Sequence, residues 1–63
     1  MKVTIKVLED IQFTDPVTKK PSELWIKGKV ISDVKYVISA DLFIANINEQ
    51  YYCIRPDQIK VIG

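Results

Sequence analysis

The last third of the chain, Asp41 to Ile62, constrains the fold most tightly. Two apolar runs, Leu42 to Ile47 and Tyr51 to Ile54, flank the polar triplet Asn48-Glu49-Gln50 and read as a hairpin, with Asn suited to positive φ. The second run leads straight into Arg55-Pro56-Asp57-Gln58. Proline fixes φ and suits the first position of one 3₁₀ or type I turn. A short strand, Ile59 to Ile62, ends the pattern. A strand, a Pro-started turn and a short final strand are a common way to shut a small antiparallel sheet, so a small closed β-domain is expected.

At 63 residues there is room for one domain, 1–63. A chain this short buries only roughly 60% of its unfolded surface, so stability is expected to be marginal unless the sheet closes or the chain associates. The composition, 48% hydrophobic and 27% charged, is that of a globular domain. No apolar run approaches the roughly 20 residues of a spanning helix. Met1 to Lys6 alternates apolar and polar where a secretory signal would be continuously apolar, so a cytoplasmic protein is expected. The bias to Ile, Val and Lys, with only two Gly, is typical of AT-rich coding sequence and points to a low-GC bacterium or a phage or prophage.

The chemistry-bearing residues are sparse. Histidine is absent, which removes the usual general base near neutral pH and the commonest transition-metal ligand. Cys53 is alone, so no intrachain disulfide forms, and within Tyr52-Cys53-Ile54 it reads as a buried, inert thiol. Most of the carboxylates, Glu9, Asp10, Asp15, Glu23, Asp33, Asp41, Glu49 and Asp57, fall in turns and loops. A domain this small has little room for the cleft in which a carboxylate pair would converge. No enzymatic activity, no cofactor, no metal and no small-molecule substrate are expected. The net charge of +1 gives no global pull toward nucleic acid or a membrane.

Val3, Ile5 and Val7 alternate with Lys2, Thr4 and Lys6, the period of a half-buried strand. Ile11 and Phe13 keep that parity after a break at Leu8 to Asp10, where a bulge or bend is expected. Residues 14–23, with two prolines and no apolar period, read as the one clear loop. From Leu24 to Ile38, β-branched residues dominate and a long strand is expected, bent at Gly28 and broken again at Ser32-Asp33. The expected core is Val3, Ile5, Val7, Phe13, Leu24, Ile26, Val30, Leu42, Ile44, Cys53, Ile54, Ile59 and Val61.

This order of elements resembles the Src-homology-3-like small barrel. That family has five strands, a long loop after the first, a bent second strand, a medium connector, a tight distal hairpin and one 3₁₀ turn before the last strand. The likeness is architectural and spans nearly the whole chain. Its one local echo is Pro56-Asp57-Gln58-Ile59-Lys60-Val61, similar to the family's Pro-x-x-aromatic-x-Val segment with Ile59 at the aromatic position. The first-strand segment Val7-Leu8-Glu9-Asp10-Ile11 lacks the family's aromatics. The long loop carries Lys19-Lys20 in place of acids, and Trp25 precedes the second strand instead of following it. The aromatic ridge on which a polyproline helix stacks is therefore missing, and proline-rich recognition does not follow. The resemblance implies an all-β, five-stranded barrel of a kind used by many unrelated binding modules.

Two surfaces are candidates. An aromatic patch of Tyr36, Phe43, Tyr51 and Tyr52 suits a protein partner, a second copy of the chain included. Trp25, Lys27, Lys29 and Lys35, with Lys2 and Lys6 beside them, suit nucleic acid, because a ring stacks a base while amines neutralise phosphates. A non-enzymatic protein-interaction module is the expected function. A small nucleic-acid-binding module using the Trp/Lys face is the alternative.

Overall fold

The alternating first segment becomes strand β1, Lys2–Val7, which pairs antiparallel on both sides with later segments of the chain. The computed structural model describes residues 1–63. In chain order follow β2 (Ile11–Thr14), β3 (Pro21–Trp25), β4 (Val30–Val37), a 3₁₀ turn (Ile38–Ala40), β5 (Leu42–Ile47), β6 (Gln50–Ile54), a second 3₁₀ turn (Pro56–Gln58) and β7 (Ile59–Val61). Five strands form one sheet in the order β6-β5-β4-β1-β7, every neighbour antiparallel, while β2 and β3 pair as a separate hairpin. The chain is all-β, with seven strands where five were expected. No ladder joins β7 back to β6, so the sheet is not closed by hydrogen bonds.

The added pair comes from the segment read as a loop. Residues 14–23 are a hairpin whose irregular part is only Asp15 to Lys20, and Pro21-Ser22-Glu23 already belong to β3. Asp15 shapes that turn. Its Oδ1 accepts from the N–H of Val17 at 2.8 Å and of Thr18 at 3.1 Å, and its own N–H donates to the Lys20 carbonyl. Proline is tolerated at Pro21 because it opens a strand with a single partner.

The hairpin covers the inner face of the large sheet. Phe13 meets Trp25 edge-on at 4.7 Å and Tyr52 of β6 at 5.2 Å, and the Ser22 hydroxyl lies 3.2 Å from the Tyr52 hydroxyl. Such aromatic pairs add roughly 0.5–1.5 kcal/mol each beyond area burial. Trp25 Nε1 donates to Glu23 Oε2 at 2.6 Å, so the buried indole leaves no donor unmet. The buried core is Ile5, Val7, Ile11, Phe13, Trp25, Val34, Phe43, Ala45, Ile47, Ile54 and Ile59.

That core corrects the expected one. Leu24, Ile26 and Val30 are exposed, and Trp25 points inward at 2% exposure. Ile11 pairs with Trp25, which sets the larger ring on the hairpin's buried side and turns Leu24 out. In β5 the inward row is Phe43, Ala45 and Ile47, leaving Leu42 and Ile44 half-buried on the outer face. Cys53 is exposed too, as is Val61 at the sheet's short edge.

The long strand expected over 24–38 is two strands joined by a turn. Lys29 N–H donates to the Ile26 carbonyl, and Gly28 sits at φ 94°, where a side chain would be strained. The turn is stitched to the end of β1: Gly28 N–H donates to the Val7 carbonyl, Val7 N–H to that of Lys29, and Lys27 N–H to Asp10 Oδ1. The second expected break is a bulge. Val3 pairs with Val34 but Ile5 pairs with Ile31, so three steps of β4 span two of β1, with Asp33 at φ 60° absorbing the difference.

Replacing Trp25 by Ala should destabilise the domain by about 3–5 kcal/mol, comparable to its whole stability, whereas Leu24→Ala should stay under about 1 kcal/mol. Urea unfolding followed by circular dichroism checks this. The opposite ranking would return Leu24 to the core.

Candidate functional site

Beyond the core, the large sheet presents an outer face and two edges. On the outer face the pairing sets Lys2 directly opposite Lys35 and Lys6 directly opposite Lys60. Like charges so placed are destabilising. The chain has one ion pair, Arg55 Nε to Asp57 Oδ1 at 3.3 Å, so none of these lysines has a carboxylate within bonding reach. At the first of these pairs lies a depression of about 560 Å³ lined by Lys2, Asp33, Lys35, Ile44, Asn46 and Tyr51. Tyr51 is 76% exposed and supplies its aromatic wall.

The two edges differ. β7 is three residues long, carries Lys60 and follows Pro56. β6 is five residues long, Gln50 to Ile54, with no charge, proline or bulge. The Asn48-Glu49 turn, with φ 50° and 66°, is a two-residue type I′ turn, so Ile47 and Gln50 form the closing hydrogen-bonded pair. Bonding then alternates: Gln50, Tyr52 and Ile54 bond to β5, while Tyr51 and Cys53 aim their N–H and C=O away from the sheet. No backbone hydrogen bond outside the ladders involves residues 50 to 54.

The aromatic candidates do not form one patch. Tyr51 is on the outer face, and Tyr52 is half-buried on the inner face against Phe13. Tyr36 and Phe43 stack at 4.8 Å at the end of the inner face that the hairpin leaves uncovered. There, with Met1, Val3, Pro56, Ile59 and Val61, they line an apolar groove of about 400 Å³. The Trp/Lys face is also dispersed: Trp25 is in the core, Lys27 and Lys29 belong to the turn between β3 and β4, and Lys35 alone sits on the outer face. Pattern reading had no access to Lys60, Asn46 or the free β6 backbone as site features. Their role depends on β1 lying between β4 and β7 and on β6 having one neighbour.

At the mouth of the inner groove, the Tyr36 hydroxyl donates to Asp41 Oδ1 at 3.0 Å. This bond raises the phenol above its usual value, with desolvation and the Asp41 charge acting in the same direction. A raised phenol favours the folded state below the ordinary pKa of about 10, and the contribution is lost as pH rises through the raised value.

No group of three or more His, Cys, Asp or Glu side chains is placed to hold a metal ion. No helix is long and apolar enough to cross a membrane. Searches against protein-family models, curated proteins and solved structures find no match to the chain.

Asp41→Asn should lower the Tyr36 titration toward the ordinary phenol range while sparing the αL backbone, which Asn tolerates. Ultraviolet titration of tyrosinate, with Tyr36→Phe as the blank, measures the shift. An unmoved midpoint would remove Asp41 as its cause.

Proposed function

We propose that the chain is a non-enzymatic protein-interaction module, a Src-homology-3-like small barrel that takes an extended polypeptide segment onto the free edge of β6. The observation carrying this reading is the unguarded edge itself. Sheet proteins normally blunt their edges with Lys, Pro, bulges or very short strands, and β7 has two of these devices, Lys60 and a length of three residues. β6 has none and offers the outward N–H and C=O of Tyr51 and Cys53 as a template. In strand addition the main chain supplies the affinity and alternate side chains supply the selectivity. Tyr51 beside Cys53 and Ile44 would contribute that selectivity on the outer face.

The barrel reading is supported by the order of elements. β1, β4, β5, β6 and β7 correspond to the five strands of such a barrel, with the β2–β3 hairpin as the long excursion after the first. The hairpin at Asn48-Glu49 and the 3₁₀ turn at Pro56–Gln58 match the distal hairpin and the last turn of that architecture in order.

A second reading has its own observation. The opposed pair Lys2–Lys35 lines the same depression as Tyr51, with Lys6–Lys60 farther across the same face, and a polyanion would relieve the repulsion of the lysines while Tyr51 stacks a base. This keeps nucleic acid as the alternative partner, on a face built around Tyr51 in place of Trp25.

Cys53→Pro tests the first reading, because it deletes an N–H that the sheet does not use and blocks an added strand. Tagged wild-type protein should retain a stoichiometric polypeptide from nuclease-treated lysate, and C53P of unchanged circular dichroism should retain none. Equal retention would contradict edge binding. For the second reading, affinity for a labelled oligonucleotide should fall steeply with salt, and Lys35→Ala should lower the slope by about one unit. Salt-independent binding would exclude it.

A further inference from the structure

We infer that the segment seated on the β6 edge is β6 of a second copy, in one register: antiparallel, with Tyr52 on the two-fold axis. This rests on the edge-binding reading above and names its partner.

The register follows from the backbone. In an antiparallel pair, residues that exchange hydrogen bonds lie directly opposite each other. Only Tyr51 and Cys53 of β6 have free outward groups, so a self-pairing must set Tyr51 opposite Tyr51, Cys53 opposite Cys53, or Tyr51 opposite Cys53 of the second copy. Only the last overlaps all five residues of both strands, with Gln50 opposite Ile54 at each end. A symmetric pairing of this kind is isologous and closed, so it stops at two copies.

Charge complementarity then selects the same register. One step beyond Gln50 is Glu49, and one step beyond Ile54 is Arg55. With Tyr52 on the axis, Glu49 of each copy lies opposite Arg55 of the other, giving two ion pairs that bracket an uncharged ladder. The neighbouring registers instead set Glu49 opposite Cys53, or Arg55 opposite Tyr51. The Arg55 side chain is 72% exposed and its ion-pair partner Asp57 is equally exposed, so the guanidinium is accessible to a second carboxylate.

Glu49 carries a second, independent mark. It sits at φ 66° in the type I′ position where Gly is favoured, and it has no ion-pair partner in its own chain. A strained residue whose charge is unused within the monomer fits a site where that charge is used between copies. The interface is a five-residue ladder, well below the size of obligate dimers, so association is weak and concentration-dependent.

Sedimentation equilibrium over a wide concentration range, on the whole chain, tests the inference. Wild-type protein should dimerise reversibly. Glu49→Arg and Arg55→Glu should each weaken the dimer about tenfold, since two pairs turn repulsive, and the E49R/R55E double variant should recover most of the loss. Glu49→Gly should raise the melting temperature of the monomer while weakening the dimer, a combination that a purely structural role for Glu49 does not produce. A chain that stays monomeric at millimolar concentration overturns self-pairing, as does a dimer indifferent to both charge changes. If C53P abolishes capture of other polypeptides while wild type never dimerises, edge binding stands and the second copy falls. If C53P alters neither, both fall.

Discussion

The rest of the structure depends on how one five-stranded sheet covers its apolar inner face without a helix. The chain has no α-helix to lay across Ile5, Val7, Val34 and Ile54, so it folds an excursion of its own back over them. The β2–β3 hairpin is that cover. Its grip is the contact of Phe13 with Trp25 and Tyr52, reinforced by Ser22 at the Tyr52 hydroxyl. Two aromatics from the hairpin and one from an edge strand thereby tie the hairpin to β6. The hairpin covers only part of the face, and the uncovered end is the groove at Tyr36 and Phe43.

This way of closing has a consequence for β6. Tyr52 is drawn inward to the hairpin, so Tyr51 must point outward, and the edge between them stays open. The opposite edge is short, charged and preceded by Pro56. The asymmetry gives the molecule one adhesive edge, whose side chain Tyr51 also borders the lysine-rich outer face. A polypeptide on the edge and a polyanion on the face would meet at that residue.

Much of this architecture is legible in the sequence where apolar and polar residues alternate strictly. β1 is of that kind, while the hairpin at Asn48-Glu49 and the turn at Pro56 are legible from their turn residues. Legibility fails where both faces of a strand are apolar. Leu42-Phe43-Ile44 and Leu24-Trp25-Ile26 have two possible inward rows, and tertiary pairing decides between them: Ile11 opposite Trp25, Phe43 opposite Ile54. At Asp33 an αL residue resets the parity within β4, which a fixed period of two cannot represent. The site was less legible than the fold. That Tyr51 and Tyr52 face opposite ways follows from adjacency alone. The opposition of Lys2 to Lys35 and of Lys6 to Lys60 follows only from the strand order, and an open edge is a property of the backbone with no residue type to announce it.

β6 is a free, alternating edge backed by the hairpin beneath it. Amide hydrogen exchange, resolved residue by residue in dilute protein, reads this edge bond by bond. Gln50, Tyr52 and Ile54, whose N–H groups bond to β5, should be protected, alternating with fast exchange at Tyr51 and Cys53. Uniform protection across β6 at a concentration where the chain is monomeric would mean that the edge is covered within the molecule. Uniformly fast exchange would mean that β6 is not held on the sheet, and either result would rule out a free β6 edge.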